Sequence, residues 1–352
     1  MRRIDIIPTW SFRDEAGNQL DPRLFRLLQA IHEHGKLTKA AQQADVSYRH
    51  GWNLLNNWGA FFGTELVELR QGKGASLTVL GEKLLWAEQR VVARLEPQLK
   101  NLASELNLEL QKSLTQSHPV VRLYASHGYA VALLADQQAD FQLDLQYTSA
   151  EQALAALNRG QCDLAGFHMP TEPVSEAMRQ GYRRHLKPRG HRIIRFVTRR
   201  QGLMVKLGNP LGIGGVRDLV RSKVRFINRQ SDSGTRALLD ELLRRERLRS
   251  ADVVGYENEE YTHSAIAAYV AAGMADVGFG VEAAARQFGL DFIPLTSEYY
   301  LFVCRSSALK LEGLRRFVAS LSRPELKKQI LALPGYAPDR AGEVVSVEAI
   351  QS

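Results

Sequence analysis

The chain has 352 residues, of which 45% are hydrophobic and 24% are charged, and its formal net charge is +8 at pH 7. This length and apolar content predict two or three compact units, each with a core of its own. No apolar run is long enough for a membrane-spanning helix, and the first residues lack the apolar core of a secretion signal. We therefore expect a cytoplasmic protein without a membrane partner.

The excess of positive charge is not by itself a signal for nucleic acid. Basic and acidic side chains nearly balance up to residue 118, whereas residues 179–200 contain nine Lys and Arg residues and no acidic one. A charge run of this kind most often forms a solvated connecting loop, and we expect one here. Any role in DNA binding must therefore rest on a motif.

Residues 37–62 have the pattern of two short helices joined by a tight turn. Thr38 is placed to cap the first helix and Ser47 to cap the second. Asp45 stands in the turn between them, where aspartate tolerates a left-handed backbone. The apolar residues of the second helix recur at helical spacing and are expected to face a core: Leu54, Leu55 and Trp58.

Two alternating stretches, ELVELR and ASLTVL, follow this helix and flank the glycine-rich residues 71–74, which predicts a β-hairpin. A helix-turn-helix with such a wing usually binds DNA; the alternative is a small helical packing module with a solvated polar face. Arg49 and Asn53 are the best candidates to read bases, because arginine pairs with guanine and asparagine with adenine. Further residues are placed to contact phosphate or groove: Lys36, Thr38, Lys39, Ser47, Tyr48, Trp52, Arg70 and Lys73.

A long helix with a heptad seam is predicted from Leu84 to about residue 114. The seam consists of Val92, Leu95, Leu99, Leu102 and Leu106. A second copy of the chain is the simplest partner for such an apolar stripe, which predicts a homodimer or a homotetramer. Packing against the chain's own domains is the alternative. Pro97 should bend the helix.

From residue 119 onward, apolar strand candidates alternate with helical segments, as in α/β domains. Two longer extended stretches, residues 193–205 and 292–303, are expected to cross between two lobes, with a cleft at the strand ends. The predicted fold class is α/β with an N-terminal winged helix-turn-helix. We expect domains at residues 1–83, 84–114 and 119–352, with the second lobe at about 205–290. The remaining strand candidates are residues 120–125, 141–147, 162–167, 224–228 and 275–280.

Polar side chains follow most of these strands, several of them at the start of a helix. Hydroxyl groups and backbone N–H groups at helix N-termini favour an anion. Each serine or threonine could instead be a helix N-cap alone, and for Ser149 that role suffices. Repeated junctions favour one shared anion site. The candidate ligand-binding residues are Ser126, His127, Thr148, Ser149, His168, Asn228, Arg229, Ser231, Ser233, Gly234, Thr235, Arg236, Thr262 and His263.

The segment LTKAAQQADV resembles LysR-type transcriptional regulators, and SYRHGWNLLNNW with LRQGKGASLTVLGEKLL resembles the N-terminal domain of ModE-type regulators. Residues 120–330, and FINRQSDSGTRALLDELL most specifically, resemble the type II periplasmic-binding-protein-like domain of such regulators and of oxyanion-binding proteins. The β-barrel domains with which ModE binds molybdate have no counterpart here. The resemblance implies a regulator that binds a double-stranded DNA operator and senses molybdate, tungstate or formate. It also implies control of a molybdenum- or tungsten-enzyme or formate dehydrogenase operon.

No catalytic motif accompanies these segments: the sequence lacks G-x-S-x-G, H-E-x-x-H and any diagnostic Ser-His-Asp spacing. Cys162 and Cys304 lie in apolar stretches without metal-ligand spacing, so we expect buried thiols. We predict no catalytic residues, no metal and no cofactor apart from a small-anion effector. The alternative is a cytosolic anion-binding protein or enzyme that uses the same cleft.

Overall fold

The computed structural model describes residues 4–13, 15, 17, 19, 21–70, 74–113, 118–137, 141–173, 175–221 and 223–350. Two compact units are present. One consists of Ile7–Ala93, and the other consists of Met1–Ile6 with Arg94–Ser352. Within the described ranges, no helix combines the length and the hydropathy that crossing a membrane requires.

The N-terminal unit is the predicted winged helix-turn-helix. Its helices are α1 (Leu24–His34), α2 (Leu37–Gln43) and α3 (Tyr48–Phe62), and helix α4 (Val79–Ser113) begins in the same unit. Strands β1 (Val67–Arg70) and β2 (Gly74–Leu77) pair antiparallel and form the wing. The predicted tip of the wing, at residues 71–73, lies outside the described residues.

The turn between α2 and α3 has the predicted geometry. Asp45 has a φ of 55°, and the Ser47 hydroxyl accepts a hydrogen bond from the backbone N–H of His50 at 3.1 Å. The prediction that Thr38 caps α2 was wrong. The helix already begins at the buried Leu37, so Thr38 lies beyond the capping position.

Trp58 lies at the centre of this unit's core. Its ring is fully buried, and Nε1 donates to the carbonyl oxygen of Asp21 at 3.2 Å. The ring of Phe12 meets it edge-on at 4.7 Å, and the ring of Phe62 stacks at 5.8 Å, measured between centroids. Leu54 and Leu55 are also buried, so the predicted inward face of α3 is confirmed.

The C-terminal unit is built on one large mixed sheet, in which every extended segment predicted from the sequence forms a strand. The strands are β3 (Val120–Ala125), β4 (Gln142–Tyr147), β5 (Leu164–Pro170), β6 (His191–Val205), β7 (Phe226–Arg229), β8 (Glu259–Glu260), β9 (Val277–Val281), β10 (Asp291–Arg305), β11 (Tyr336–Pro338) and β12 (Val344–Val345). Their order in the sheet is β4-β3-β5-β10-β6-β9-β7-β8, and β11 and β12 pair with β6.

Helices alternate with these strands, as an α/β architecture requires. The helices are α5 (Tyr129–Ala135), α6 (Ala150–Arg159), α7 (Glu176–Arg183), α8 (Gly234–Arg245), α9 (His263–Ala271), α10 (Glu282–Gln287), α11 (Glu312–Leu321) and α12 (Pro324–Leu331). Helix α8, which follows β7, is the longest of them.

The two long strands β6 and β10 connect two lobes, as predicted. They pair antiparallel from Asp291 opposite Val205 to Arg305 opposite His191. Toward its C-terminal end β10 also pairs with β5, and toward its own C-terminal end β6 pairs with β9. The first lobe therefore contains β3, β4 and β5, the second contains β7, β8 and β9, and each has a separate apolar cluster.

Helix α4 begins at Val79 instead of Leu84 and continues through Pro97 to Ser113. From Arg94 onward it belongs to the C-terminal unit. Leu102 and Leu106 are 51% and 48% exposed, so part of the predicted heptad seam stays uncovered in the single chain.

The basic segment at residues 179–200 is not the solvated loop that we expected. Part of it forms β6, where Arg195 and Arg199 are buried. Arg195 forms an ion pair with Asp339 at 2.6 Å, and Arg199 forms one with Glu298 at 2.6 Å. The expectation failed because both acidic partners lie far away in the sequence.

Replacement of Trp58 tests the core of the N-terminal unit. Trp58→Ala should lower the free energy of unfolding by about 3 to 5 kcal/mol, because it leaves a cavity where a large ring was fully buried. Trp52 is on the same helix but 46% exposed. Trp52→Ala is therefore the matched control and should cost less than about 0.5 kcal/mol. Urea unfolding followed by circular dichroism measures both, and equal losses would contradict the assignment.

Candidate functional site

The N-terminal part of α3 presents polar and aromatic side chains at the surface. Tyr48 and Trp52 are 54% and 46% exposed, and Arg49 and Asn53 are exposed beside them. Residues four apart in a helix lie on one face, so these side chains form one surface opposite the buried Trp58. The structure thus brings together the four residues of α3 that were predicted to meet a DNA duplex, with the predicted base readers Arg49 and Asn53 among them.

Four of the residues predicted to contact phosphate or groove lie in or next to α2 and at the start of α3. Lys36, Thr38, Lys39 and Ser47 are exposed. Lys36 and Lys39 form no ion pair with another described residue, so their charges can meet phosphate. The side chain of Arg70 and all of Lys73 lie outside the described residues.

The C-terminal unit contains a cleft of about 480 Å³ at the ends of strands from both lobes. Such a position is typical of ligand sites in α/β domains. Most of the ligand-binding residues predicted from the sequence line it. They are Ser126, His127, Thr148, Ser149, His168, Arg229, Ser233, Gly234, Thr235 and His263.

Two other predicted residues near β7 do not line the cleft. Asn228 is buried behind it, where its side chain donates to the carbonyl oxygen of Tyr256 at 3.1 Å and accepts from the N–H of Arg229 at 2.9 Å. Ser231 is exposed and does not line the cleft. The run NRQSDSGTR is continuous in sequence, but its chain turns between β7 and α8, so only some of its side chains face the cleft.

Arg236 and Thr262 also have structural roles outside the cleft lining. The guanidinium of Arg236 forms ion pairs with Glu257 and Glu259, which compensate its charge. Thr262 is the N-cap of α9, where its hydroxyl accepts from the N–H of Ala265 at 2.9 Å. For Thr262 the N-cap alternative is therefore sufficient.

A buried ion pair lies at the floor of the cleft, which one of its members, Arg199, lines. Arg199 on β6 stands directly opposite Glu298 on β10, and their side chains approach to 2.6 Å at 2% and 1% exposure. Gln201 donates to the same carboxylate at 2.6 Å. Burial alone would lower the pKa of Arg199, but the Glu298 carboxylate raises it well above its usual value. Arg199 is therefore charged, and its charge is largely neutralised.

Arg229 is a buried cation of a different kind. Its Nε donates to the side chain of Gln230 at 3.0 Å, and its terminal nitrogen donates to the carbonyl oxygen of Tyr261 at 2.9 Å. Burial and then the charge of Arg199 lower the pKa of Arg229 to about 10, so it stays protonated at neutral pH. Among the described residues, no carboxylate forms an ion pair with it. An anion in the cleft would offset the cost of this buried charge.

Two buried histidines stand beside Arg229. Burial lowers the pKa of His168 to about 4 and the pKa of His263 well below its usual value, so both are neutral at pH 7. Nδ1 of His263 has no hydrogen-bond partner within the described part of the chain. Gly234 makes room for this arrangement, because a Cβ there would lie 2.1 Å from Nε2 of His168.

Helix N-termini from both lobes face the cleft. Ser149 caps α6 by accepting from the N–H of Gln152 at 3.3 Å, and Ser233 caps α8 by accepting from the N–H of Thr235 at 3.1 Å. Each hydroxyl keeps a proton that it can donate to a ligand. The capping and ligand-binding roles are therefore compatible, and two helix N-termini in one cleft suit an anion.

Sequence reasoning missed Arg199 and the part of α4 that lines the cleft. No signal in the sequence singles out Arg199, because β6 also contains Arg192, Arg195 and Arg200. For Arg94 and Gln98 of α4 there was no signal either. Their approach to the cleft depends on the path of the chain.

The thiol chemistry follows the sequence prediction. Cys162 and Cys304 are buried free thiols, and burial raises their pKa values to about 11 and about 12. Within the ranges that the structure describes, no group of histidine, cysteine and acidic residues could hold a metal ion.

Sequence comparisons identify both units. The family of bacterial regulatory helix-turn-helix proteins of the LysR type matches residues 22–82, and the PBP superfamily domain matches residues 131–322. The uncharacterised protein YvgK of Bacillus subtilis is 33% identical over 201 residues, which are 57% of this chain and 64% of that protein. The chain thus spans less than two thirds of this relative. The transcriptional regulator ModE of Yersinia pestis is 35% identical over 69 residues, 18% of this chain and 26% of ModE.

Solved structures match the chain at low similarity. A mutant of OxyR from Corynebacterium glutamicum has a TM-score of 0.44 at 15% identity, covering 90% of this chain and 95% of OxyR. A phosphate transporter substrate-binding protein from Clostridium perfringens has a TM-score of 0.47 at 11% identity, covering 62% of this chain and 99% of its own.

The family matches coincide with the two units of the fold. The LysR-type match covers α1 to β2, and the PBP superfamily match covers the hinge strands and most of both lobes. The chain belongs to the PBP superfamily, and its residues 22–82 match the helix-turn-helix of LysR-type regulatory proteins and resemble that of ModE.

Proposed function

We propose that this chain is a cytoplasmic regulator that binds a DNA operator through α3 and senses a small anion in its cleft. The observation that supports the anion site most directly is the state of Arg229. This arginine is buried and charged, and no described carboxylate compensates its charge by an ion pair. The resemblance of the two-lobed domain to oxyanion-binding proteins supports molybdate or tungstate as the effector, and formate is the third candidate. The regulated genes would then be a molybdenum- or tungsten-enzyme or formate dehydrogenase operon.

The donors in the cleft suit an oxyanion that both lobes surround. Ser126 and Thr148 would donate from the first lobe, and Ser233, Thr235 and Arg229 would donate from the second. A tetrahedral oxyanion can use donors on all sides, whereas a planar carboxylate uses fewer. The volume of about 480 Å³ exceeds that of one small oxyanion, so binding would draw the lobes together about β6 and β10.

The exposed surface of α3 supports a regulator over a simple anion-binding protein. Arg49 and Asn53 project from the first turns of this helix, where DNA-reading helices contact bases. The exposed Leu102 and Leu106 of α4 support a homodimer, because burial against a second copy would remove them from water.

The DNA-reading roles can be separated by mutation. Arg49→Ala should reduce discrimination between a selected duplex and a scrambled one by about 1 to 3 kcal/mol, because a base contact is lost. Lys39→Ala should weaken both duplexes alike and reduce the salt slope by about 1. Fluorescence anisotropy with a duplex selected from a random pool measures both effects. Equal losses on both duplexes from Arg49→Ala would refute its base-reading role.

The proposed role of Leu102 and Leu106 in a dimer can be tested by measuring the molecular mass of the protein in solution. Replacing Leu102 and Leu106 together by Lys should convert a dimer into a monomer, because two charges cannot be buried in an apolar seam. Leu207 is 76% exposed and lies outside α4, so Leu207→Lys is the control that should leave the mass unchanged. Light scattering at matched concentrations measures both. An unchanged dimer in the double variant would show that this face is not the interface.

The effector site can be tested with the full chain and six anions: molybdate, tungstate, sulfate, phosphate, formate and oxalate. Ser126→Ala and Thr235→Val should each weaken binding of the tightest anion about 5- to 50-fold, because each removes a hydrogen-bond donor to a charge. Ser231 is exposed and outside the cleft, so Ser231→Ala should change nothing. Calorimetry measures the affinities. If none of the six anions binds, the hydroxyls are helix caps alone.

A further inference from the structure

The C-terminal half of α4 forms one wall of the cleft. Arg94, Leu95, Pro97 and Gln98 line it together with the residues of the two lobes. These positions belong to the C-terminal unit, although the helix begins at Val79 in the winged helix-turn-helix. One continuous helix therefore runs from the DNA-binding unit to the wall of the effector cleft.

Helix α4 is anchored to the first lobe by polar contacts. The side chain of Asn101 accepts from the N–H of Tyr147 at 2.6 Å and donates to its carbonyl oxygen at 3.0 Å. Ser104 donates to Asp144 at 3.1 Å. Both partners are on β4, the edge strand of the sheet. The two bonds of Asn101 replace a missing strand neighbour, and they hold the helix next to Thr148 at the cleft.

Arg94 reaches the second lobe from this anchored helix. Its guanidinium lies 5.2 Å from the centre of the Tyr261 ring and 4.0 Å from a carboxylate oxygen of Glu260. The side chain of Arg94 is 47% exposed, whereas that of Glu260 is fully buried, and 4.0 Å is long for an ion pair. The backbone carbonyl oxygen of Tyr261 accepts a hydrogen bond from Arg229, so Arg94 and Arg229 both contact Tyr261.

We propose that Arg94 is an effector-binding residue, supplied to the cleft by α4, and that this helix thereby registers whether the cleft is occupied. The inference rests on the proposed function. An oxyanion bound to Arg229 would offer Arg94 a charge-assisted, two-pronged hydrogen bond that its contacts with Tyr261 and Glu260 do not match. Arg94 would turn toward the anion, and the anion would then link helix α4 to Arg229 of the second lobe.

The consequence for regulation follows from the two attachments of α4. Asn101 and Ser104 hold the helix to the first lobe, and Arg94 would hold it to the anion between the lobes. Closure of the lobes would then change the position of residue 94 relative to residue 101. Because α4 is continuous from Val79 to Ser113, it is the segment through which this change would be passed to the DNA-binding unit.

The test compares Arg94→Ala and Arg94→Lys with Arg249→Ala in the full chain. Arg249 is also an arginine, but its side chain is 79% exposed, it pairs with Asp252, and it does not line the cleft. By calorimetry, Arg94→Ala should bind sodium molybdate about 10- to 100-fold more weakly than wild type, as expected for a lost charge-assisted hydrogen bond. Arg94→Lys should lose less. Arg249→Ala should match the wild type.

Two further measurements test the proposal: the dependence of the affinity loss on the charge of the anion, and the hydrogen exchange of the α4 backbone. The loss in Arg94→Ala should be larger for doubly charged molybdate than for formate, because the Coulomb energy scales with the charge of the anion. Hydrogen exchange over residues 94–106 should slow on addition of molybdate in the wild type, and this slowing should disappear in Arg94→Ala. A residue that only shapes the helix would not produce this anion-dependent difference.

The outcomes separate the two proposals. If wild type and Arg94→Ala bind molybdate equally, or if their exchange over residues 94–106 responds equally, the role of Arg94 is wrong and the anion site stands. If none of the six anions binds the wild-type chain, the proposed anion site fails and the role of Arg94 fails with it.

Discussion

The buried ion pair between Arg199 and Glu298 is the constraint on which the cleft depends. It joins β6 to β10, the two strands that belong to both lobes, at the point where the cleft floor lies. Removing one partner would leave an uncompensated buried charge, at a cost of about 3 to 5 kcal/mol. Gln201 adds a further hydrogen bond to Glu298, so the floor is fixed before any ligand enters.

This pair also determines which charge is left for a ligand. Because Glu298 compensates Arg199, the attraction for an anion comes chiefly from Arg229, two helix N-termini and the neutral histidines. Arg199 lowers the pKa of Arg229 without removing its charge. The same cluster therefore combines a rigid, neutralised floor with one buried cation that favours an anion. Under the proposed function, the rigidity of the site and its affinity for the anion would be carried by different arginines.

Helix α4 gives the two units a common element. Its first part belongs to the winged helix-turn-helix, its second part lines the cleft, and its leucines remain half exposed along the same stretch. The polar residues Asn101 and Ser104 hold it to β4. Under the proposed function, the same helix would line the effector cleft and offer its exposed leucines to a second copy.

The sequence alone determined the features that arise from neighbouring residues. Helical spacing placed Trp58 inside and Arg49 outside, Ser47 marked the start of α3, and apolar runs located the strands of both lobes. Tertiary structure alone decided which charges meet, because Arg199 and its partner Glu298 are separated by 99 residues. It also moved Ser231 and Arg236 out of the cleft and brought Arg94 into it. Local patterns follow from the geometry of the backbone, whereas the composition of the cleft depends on how distant strands and helices pack.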